Sequence, residues 1–437
     1  MKRGEFIKRQ ENFVRMMGED SIAIIANSSK KTRNRDVYFP FRSDSDFYYL
    51  TGFNEEDAIA VLAPGRQQGK YILFCQEKDP KKELWDGEMI GLEQAMNVYQ
   101  ADDAYPIEDI EEILPGLLEN RHKLYYKMGS NQHLDQHLID WIKLIKEKSR
   151  GEIHAPETII STDGILHEMR LIKSASEIAK MRRAAKITAN AHIRAMKACK
   201  PEMFEYELEA EILYEIKKSG AQAAAYSSIV AGGKNACVLH YVENSEKLLD
   251  GELILLDAGA EFDHYATDVT RTFPVNGKFT PEQKTLYQIV LKAQNAAIDK
   301  CQTGNYWNDP HDAAVQEISR GLLELGILKG KLEDIIENED YRRFFMHRTG
   351  HWLGMDVHDV GEYKISDRWR LLESGMTLTI EPGIYIPCDD AKDVDKKWHG
   401  IGIRIEDDIL ITKSGHEVLT KGTPKTVDAI EELMAKS

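Results

Sequence analysis

Four acidic residues stand where acids are least expected. Asp257 closes the apolar run ELILLD and Asp268 enters the run DVTRTF eleven residues later. Glu381 interrupts TLTIEPGIYI and Glu406 interrupts GIGIRIEDDILI. Acids are depleted in strands, and a buried carboxylate is costly unless paired or bound to a metal. Alternation puts Thr377, Thr379 and Glu381 on one face with Leu378 and Ile380 on the other. It likewise sets Gly402, Arg404 and Glu406 opposite Ile401, Ile403 and Ile405. Any one acid alone suits a strand with one face in water, and Arg404 with Glu406 suits a surface ion pair. Asp257, with apolar neighbours on both faces, does not, and four such positions together point to a shared site.

The chemistry of that site follows from the donor types. Carboxylates are hard ligands that favour magnesium or manganese, and one imidazole shifts the choice toward Mn, Fe, Co or Zn. Four carboxylates balance two divalent cations, which implies a dinuclear centre with a bridging water acidified enough to supply hydroxide near neutral pH. Imidazoles are available in HRTGHWLGMDVHDVG, where His347, His351 and His358 are spaced four and seven residues apart. An ideal helix would put all three on one face. Gly350 and Gly354 disfavour that helix, and the HExxH pattern of helical zinc sites is absent. With four carboxylates present, the metals need one nitrogen from this stretch, which leaves two histidines to face a substrate.

Two kinds of segment must position these groups. In the first part of the chain, FIKRQENFVRMM has helical spacing, SIAIIAN, AIAVLAP and KYILFCQ read as strands, and ELWDGEMIGLEQAMNVY reads as a helix. That alternation predicts an α/β domain. A helical block follows, with Ser174 or Ser176 as the cap of a long helix and Pro201 separating it from a second. Beyond Gly220 come strands, helices around 281–300 and 311–326, and more strands, which predicts α+β. The expected domains are 1–170 and 171–437, with the boundary in the region 165–175.

The whole chain narrows the function classes. At 437 residues it is long enough for two domains, and no apolar run approaches the roughly 20 residues of a membrane helix. With no apolar secretion signal at its start, the expected location is cytoplasmic and no membrane partner is expected. Five scattered cysteines without CxxC spacing exclude a disulfide framework and a thiolate zinc site. A net charge of −16, with 73 acids against 57 bases, argues against nucleic acid as a partner.

Taken together, LLDAGAEFDHYATDVTRTF, HRTGHWLGMDVHDVG, TLTIEPGIYI and GIGIRIEDDILI resemble the pita-bread metallopeptidases: aminopeptidase P, prolidase and methionine aminopeptidase. The resemblance covers essentially the whole second domain. It implies a pita-bread α+β catalytic domain in which Asp257, Asp268, His351, Glu381 and Glu406 hold two divalent ions, with Asp268 and Glu406 bridging. Manganese is the expected metal, with Co, Zn or Fe as the others. RNRDVYFPFRSDSDFYYLTGF is similar to the N-terminal domain of aminopeptidase P, which methionine aminopeptidases lack. By residue chemistry alone this aromatic-rich stretch is packing; the resemblance implies that Asp36 contributes to the catalytic mouth.

Further roles are implied by the same likeness. Glu381 would shuttle the proton, His240 and His358 would bind the developing tetrahedral oxygens, and His347 would line the proline subsite. Tyr385 and Arg404 would form a hydrogen-bonded group with Asp257. Trp85, in ELWDGE, would reach a neighbouring subunit's site, which implies a homo-oligomer, dimer or tetramer. The implied activity is removal of the first residue from peptides with proline second, by attack of a metal-bridging hydroxide. A prolidase acting on Xaa-Pro dipeptides is the alternative, and a non-catalytic peptide-binding protein on the same fold is a further one.

Overall fold

A computed structural model describes residues 2–148, 153–389 and 391–436. The chain divides into two compact units, Met1–Met169 and Arg170–Ser437, the division falling within the helix Asp163–Leu171.

The first unit is built on a six-stranded mixed sheet. Its order is Asp103–Pro106, Tyr71–Cys75, Ile59–Leu62, Ser21–Ala26, Lys123–Tyr125, Thr158–Ile160. The Ile59–Leu62 strand is antiparallel to both its neighbours, and the remaining pairs are parallel. SIAIIA and YILFC are apolar on both faces because the sheet is covered on both, and Ile22, Ile24, Val61, Ile72 and Phe74 form its core with Leu114, Leu138 and Trp141. Two expectations fail here. ELWDGEMIGLEQAMNVY is not one helix but two short ones, Pro80–Asp86 and Gly91–Asn97. Gly87 and Gly91 both take positive φ, at 97° and 68°, which a continuing helix excludes. The aromatic stretch splits as well. Phe47, Tyr49 and Phe53 are buried, but Val37, Tyr38 and Phe39 are about half exposed on and just after a hairpin of Thr32–Asn34 and Val37–Tyr38.

The second unit opens with the helix Ala175–Ala198. Of the two candidate caps it is Ser174 that acts, in a reciprocal capping box with Glu177. Glu205–Lys218 follows beyond Pro201. Two further helices, Pro281–Asp299 and Asp309–Glu324, pack together. Against these helices lie small antiparallel sheets: Ile229–Gly232, Leu253–Asp257 and Thr270–Pro274; Thr377–Ile380, Asp407–Thr412 and Gly415–Val418; and the pair Gly383–Ile386 with Ile401–Arg404. One apolar cluster runs through all of them, including Leu256, Phe273, Leu378, Ile380, Ile403 and Ile405. Among the described residues no helix is long and apolar enough to cross a membrane, and all five cysteines are free.

The runs TLTIEPGIYI and GIGIRIEDDILI are each broken in the middle. Residues 377–380 pair with 407–410, whereas 383–386 pair with 401–404. Pro382 has no N–H for a ladder, and the partner changes there. Neither run has a wet face: Thr377 to Ile380 are all buried, and so are Gly402 to Thr412 apart from the last residue. The reading of the acids as the water-facing side of half-exposed strands is therefore corrected.

Candidate metal centre

Glu381 and Glu406 sit at those two breaks. Freed from the ladder, the Glu381 N–H donates to Thr349 O at 2.8 Å and the Glu406 N–H to Thr270 O at 3.0 Å, which turns both side chains toward one cavity. Asp257 is the last residue of its strand, in register with Thr270. Asp268 lies between the short strand Tyr265–Ala266 and Thr270–Pro274, not within a strand. His351 reaches the group through an extended segment, not a helix: Thr379 N–H donates to His351 O at 3.0 Å, and His351 N–H to Thr379 Oγ1 at 3.1 Å. Gly350 permits that approach, since an added Cβ would stand 2.0 Å from Thr379 O.

The cavity has a volume of about 860 Å³ and is lined by Asp257, Asp268, His351, Glu381 and Glu406, with His240, His347, His358 and Arg404 among its other walls. Ligand atoms of Asp268, His351 and Glu406 all lie within 4.8 Å of one another. His351 Nε2 is 3.3 Å from Asp268 Oδ2 and 3.6 Å from Glu381 Oε1. Arg404 donates through Nη2 to Asp257 Oδ2 at 2.6 Å and through Nη1 to the Tyr385 hydroxyl at 3.0 Å. His347 Nε2 is 2.9 Å from the same hydroxyl, so Tyr385 stands behind the cavity wall and ties two lining residues together. The rings of His358 and His351 lie edge to face, 4.3 Å apart. Asp36 and Trp85 belong to the first unit. Asp36 is exposed at the hairpin turn, and Trp85 is 85% exposed on its short helix.

Electrostatically the cluster is short of positive charge. Burial raises Asp257 above its ordinary value in spite of Arg404, and burial with the Asp268 and Glu381 charges puts Glu406 well above its own. Burial likewise lifts Glu381 to about 7, against the pull of His351 and Arg404. Asp268 runs the other way: burial would raise it, but the His351 hydrogen bond and charge, the Tyr226 hydrogen bond and the Arg404 charge together hold it below its ordinary value. Burial would lower His351, but the Asp268 hydrogen bond and the Glu381 charge carry it to about 9. Burial and then Arg404 lower His347 to about 4, which keeps it neutral. His358 is also lowered, by desolvation in the cleft and then by His351, although its ring is open to the cavity.

These residues fit a pair of divalent ions. His351 Nδ1 lies 2.9 Å from Trp352 O and donates to it, so the Nε2 lone pair is aimed at two carboxylates. That arrangement needs a proton or a metal between the groups, and fixing the tautomer through Nδ1 is how ligand histidines are held. The Tyr226 hydroxyl lies 2.6 Å from Asp257 Oδ1 and 2.5 Å from Asp268 Oδ1, and with one proton it can donate to only one. Tyr226 was not legible in the sequence, since nothing in YSSIVAGG marks it. Thr270, which donates to Glu406 Oε2 at 2.7 Å and accepts from Arg404 Nε at 3.1 Å, was also missed; its place two residues after Asp268 was the available signal.

Comparison with known proteins agrees along the whole length. Residues 179–413 match the model of metallopeptidase family M24, and residues 6–125 that of the aminopeptidase P N-terminal domain. The chain belongs to family M24. Its catalytic unit is therefore the pita-bread domain, preceded by an aminopeptidase P-type α/β domain. A Xaa-Pro aminopeptidase of Haemophilus influenzae is 44% identical over 98% of this chain and 97% of its own. The structure of Pseudomonas aeruginosa aminopeptidase PepP has 52% identity and a TM-score of 0.98, covering 100% of this chain and 98% of that one. Zn-substituted Escherichia coli aminopeptidase P in complex with product has 42% identity and a TM-score of 0.96, covering 100% and 99%. A dinuclear metal site is typical of the M24 family, and the donor set described above is of that type.

Proposed function

We propose that this chain is a Xaa-Pro aminopeptidase, a metal-dependent hydrolase that releases the first residue of peptides with proline second. The observation that carries this reading is the convergence of four carboxylates and one imidazole, from separate segments, on one wall of a peptide-sized cavity. The near-full-length likeness to a relative named Xaa-Pro aminopeptidase supports the substrate.

Asp257, Asp268, His351, Glu381 and Glu406 would hold two divalent ions, manganese being our expectation from the donor set. Such ions supply Lewis acidity, polarising a peptide carbonyl and acidifying water. The chain's own groups do the rest. A bond to proline is a tertiary amide without an N–H, so recognition falls on the carbonyl and the ring. Glu381, which lines the cavity, takes the proton of the attacking water and passes it to the leaving proline nitrogen. His240 and His358 face the carbonyl and steady the oxygen as it gains charge. Neutral His347 forms a wall of the proline subsite. Arg404, bonded to Asp257 and Tyr385, keeps that carboxylate oriented and ionised. Exposed Leu84 and Trp85 support the expectation of a homo-oligomer, and the role of Asp36 rests on the family resemblance alone.

The deciding assay sets manganese-loaded protein on a Xaa-Pro-Pro tripeptide beside a Xaa-Pro dipeptide. Release of the first residue from the tripeptide is expected. Cleavage of the dipeptide alone would make the protein a prolidase, and metal binding without cleavage of either would make it a binding protein.

A further inference from the structure

His358 is carried by a segment without helix or strand, residues 353–362. Among the described residues no hydrogen bond to its ring is seen; the ring meets His351 by its edge. Its place must therefore be set through the backbone, and the next residue is the anchor. Asp359 is buried, its side chain 1% exposed, and accepts Arg170 Nη2 at 2.6 Å on one oxygen and Lys173 Nζ at 3.0 Å on the other. Arg170 also donates to Asp356 Oδ2 at 2.7 Å, so it spans both flanks of His358. The Asp359 N–H donates to Trp352 O at 2.9 Å. An added Cβ on Gly354 would stand 2.1 Å from Asp359 Oδ2, so the carboxylate fills the inside of the loop.

The cations are themselves fixed from outside the loop. Lys173 N–H donates to Gly375 O at 2.9 Å, and the following residue is the capping serine of the long helix Ala175–Ala198. Burying Lys173 and Arg170 costs several kcal/mol of desolvation per ion, which an apolar pair of similar size would avoid. A clamp of this kind gives a defined geometry that an apolar contact does not, and the residue it grips is the one that follows His358.

We propose that Arg170 and Lys173 are positioning residues for His358: by gripping Asp359 they hold the imidazole-bearing loop against the metal centre. The role assigned to His358 rests on the function proposed above; the clamp itself does not. Lys173→Met keeps the length and apolar stem while removing the charge. With two ions per chain verified by elemental analysis, it should lower kcat on the tripeptide about 10- to 100-fold, with KM changed less than about threefold. In a His358→Ala background the same change should cost less than about twofold, because the residue it acts through is gone. Amide exchange at residues 355–361 should quicken about tenfold or more, with the strand Leu253–Asp257 unchanged. Lys173→Arg should restore both. Should Lys173→Met exchange rapidly throughout, Asp359→Asn, which keeps the shape, is read by the same criteria. Multiplicative losses in the double variant, or a kcat within about threefold of the parent, would overturn the proposal. If the parent cleaves neither peptide, the functional reading falls, and loop exchange alone decides the clamp: unchanged exchange rejects it.

Discussion

Glu406 and Asp407 are adjacent, equally buried, and held in opposite environments. Asp407 accepts Arg271 Nη2 and the Thr420 hydroxyl at 2.7 Å each, Lys425 Nζ at 2.8 Å and Gln294 Nε2 at 3.1 Å. Against the burial that would raise it, the Arg271 and Lys425 charges hold it at about 2. One residue earlier, Glu406 turns into the cavity, where it has the Thr270 hydroxyl and shares Arg404 with three other carboxylates. The first cluster carries its counter-charges covalently and is part of the architecture. The second has only Arg404 and His351 against four carboxylates, a deficit that the divalent ions proposed above would fill. Buried charge alone does not distinguish structure from site; the source of its compensation does.

The largest expected effect tests the deficit directly. Stripping ions with a chelator should take peptidase activity to background and manganese should restore it, with stability changing by about 4 kcal/mol at an ion concentration about a thousandfold above Kd. An unchanged melting curve would break the contrast. Next, Asp407→Ala should cost about 3–5 kcal/mol with or without ions, since it strands Arg271 in the core. Glu406→Gln, which removes a charge that burial and its acidic neighbours disfavour, should leave the metal-free protein as stable as before or more so while abolishing metal-dependent activity; denaturant titrations of both forms decide this.

The two clusters also predict opposite pH slopes. Asp407, ordinarily at 3.8 and here at about 2, contributes stability that is present above pH 3.8 and lost as pH falls toward 2. Glu381 in the metal-free protein, ordinarily at 4.5 and here at about 7, holds a proton that the unfolded chain has released, so stability falls as pH rises between those values. Glu381→Gln should reduce the upper slope and leave the lower one unchanged in chelator-treated protein, the remainder coming from Asp257, Glu406 and His351. The smallest effect is expected from Tyr385→Phe, which removes the hydroxyl shared by Arg404 and His347. Its cost should be about 0.5–1.5 kcal/mol, a roughly two- to tenfold loss in kcat/KM.

Part of the second unit's site is legible in the residues themselves. Period-two alternation puts Glu381 with Thr379 and Glu406 with Arg404, and the second unit keeps those pairings. The glycines of HRTGHWLGMDVHDVG disfavour a helix, and none forms. Less was legible in the first unit, where one expected helix is two and half of the aromatic stretch is exposed. Helical spacing survives across a short break, and apolarity alone does not say whether an aromatic packs or projects.

The sequence by itself determined the donor inventory, the faces of the strands and the two domain types, because residue type, alternation and turn chemistry are local properties. Only the tertiary structure decided that both acid-bearing runs break at Pro382 and Ile405, that Tyr226 joins Asp257 to Asp268, and that among the consecutive acids Glu406, Asp407 and Asp408 the middle one is architectural. Asp408 accepts the Asp268 N–H at 3.3 Å from the cavity side, while Asp407 meets Arg271, 136 positions away. Burial, strand partnership and charge compensation are set by groups remote in sequence, and no local pattern encodes them.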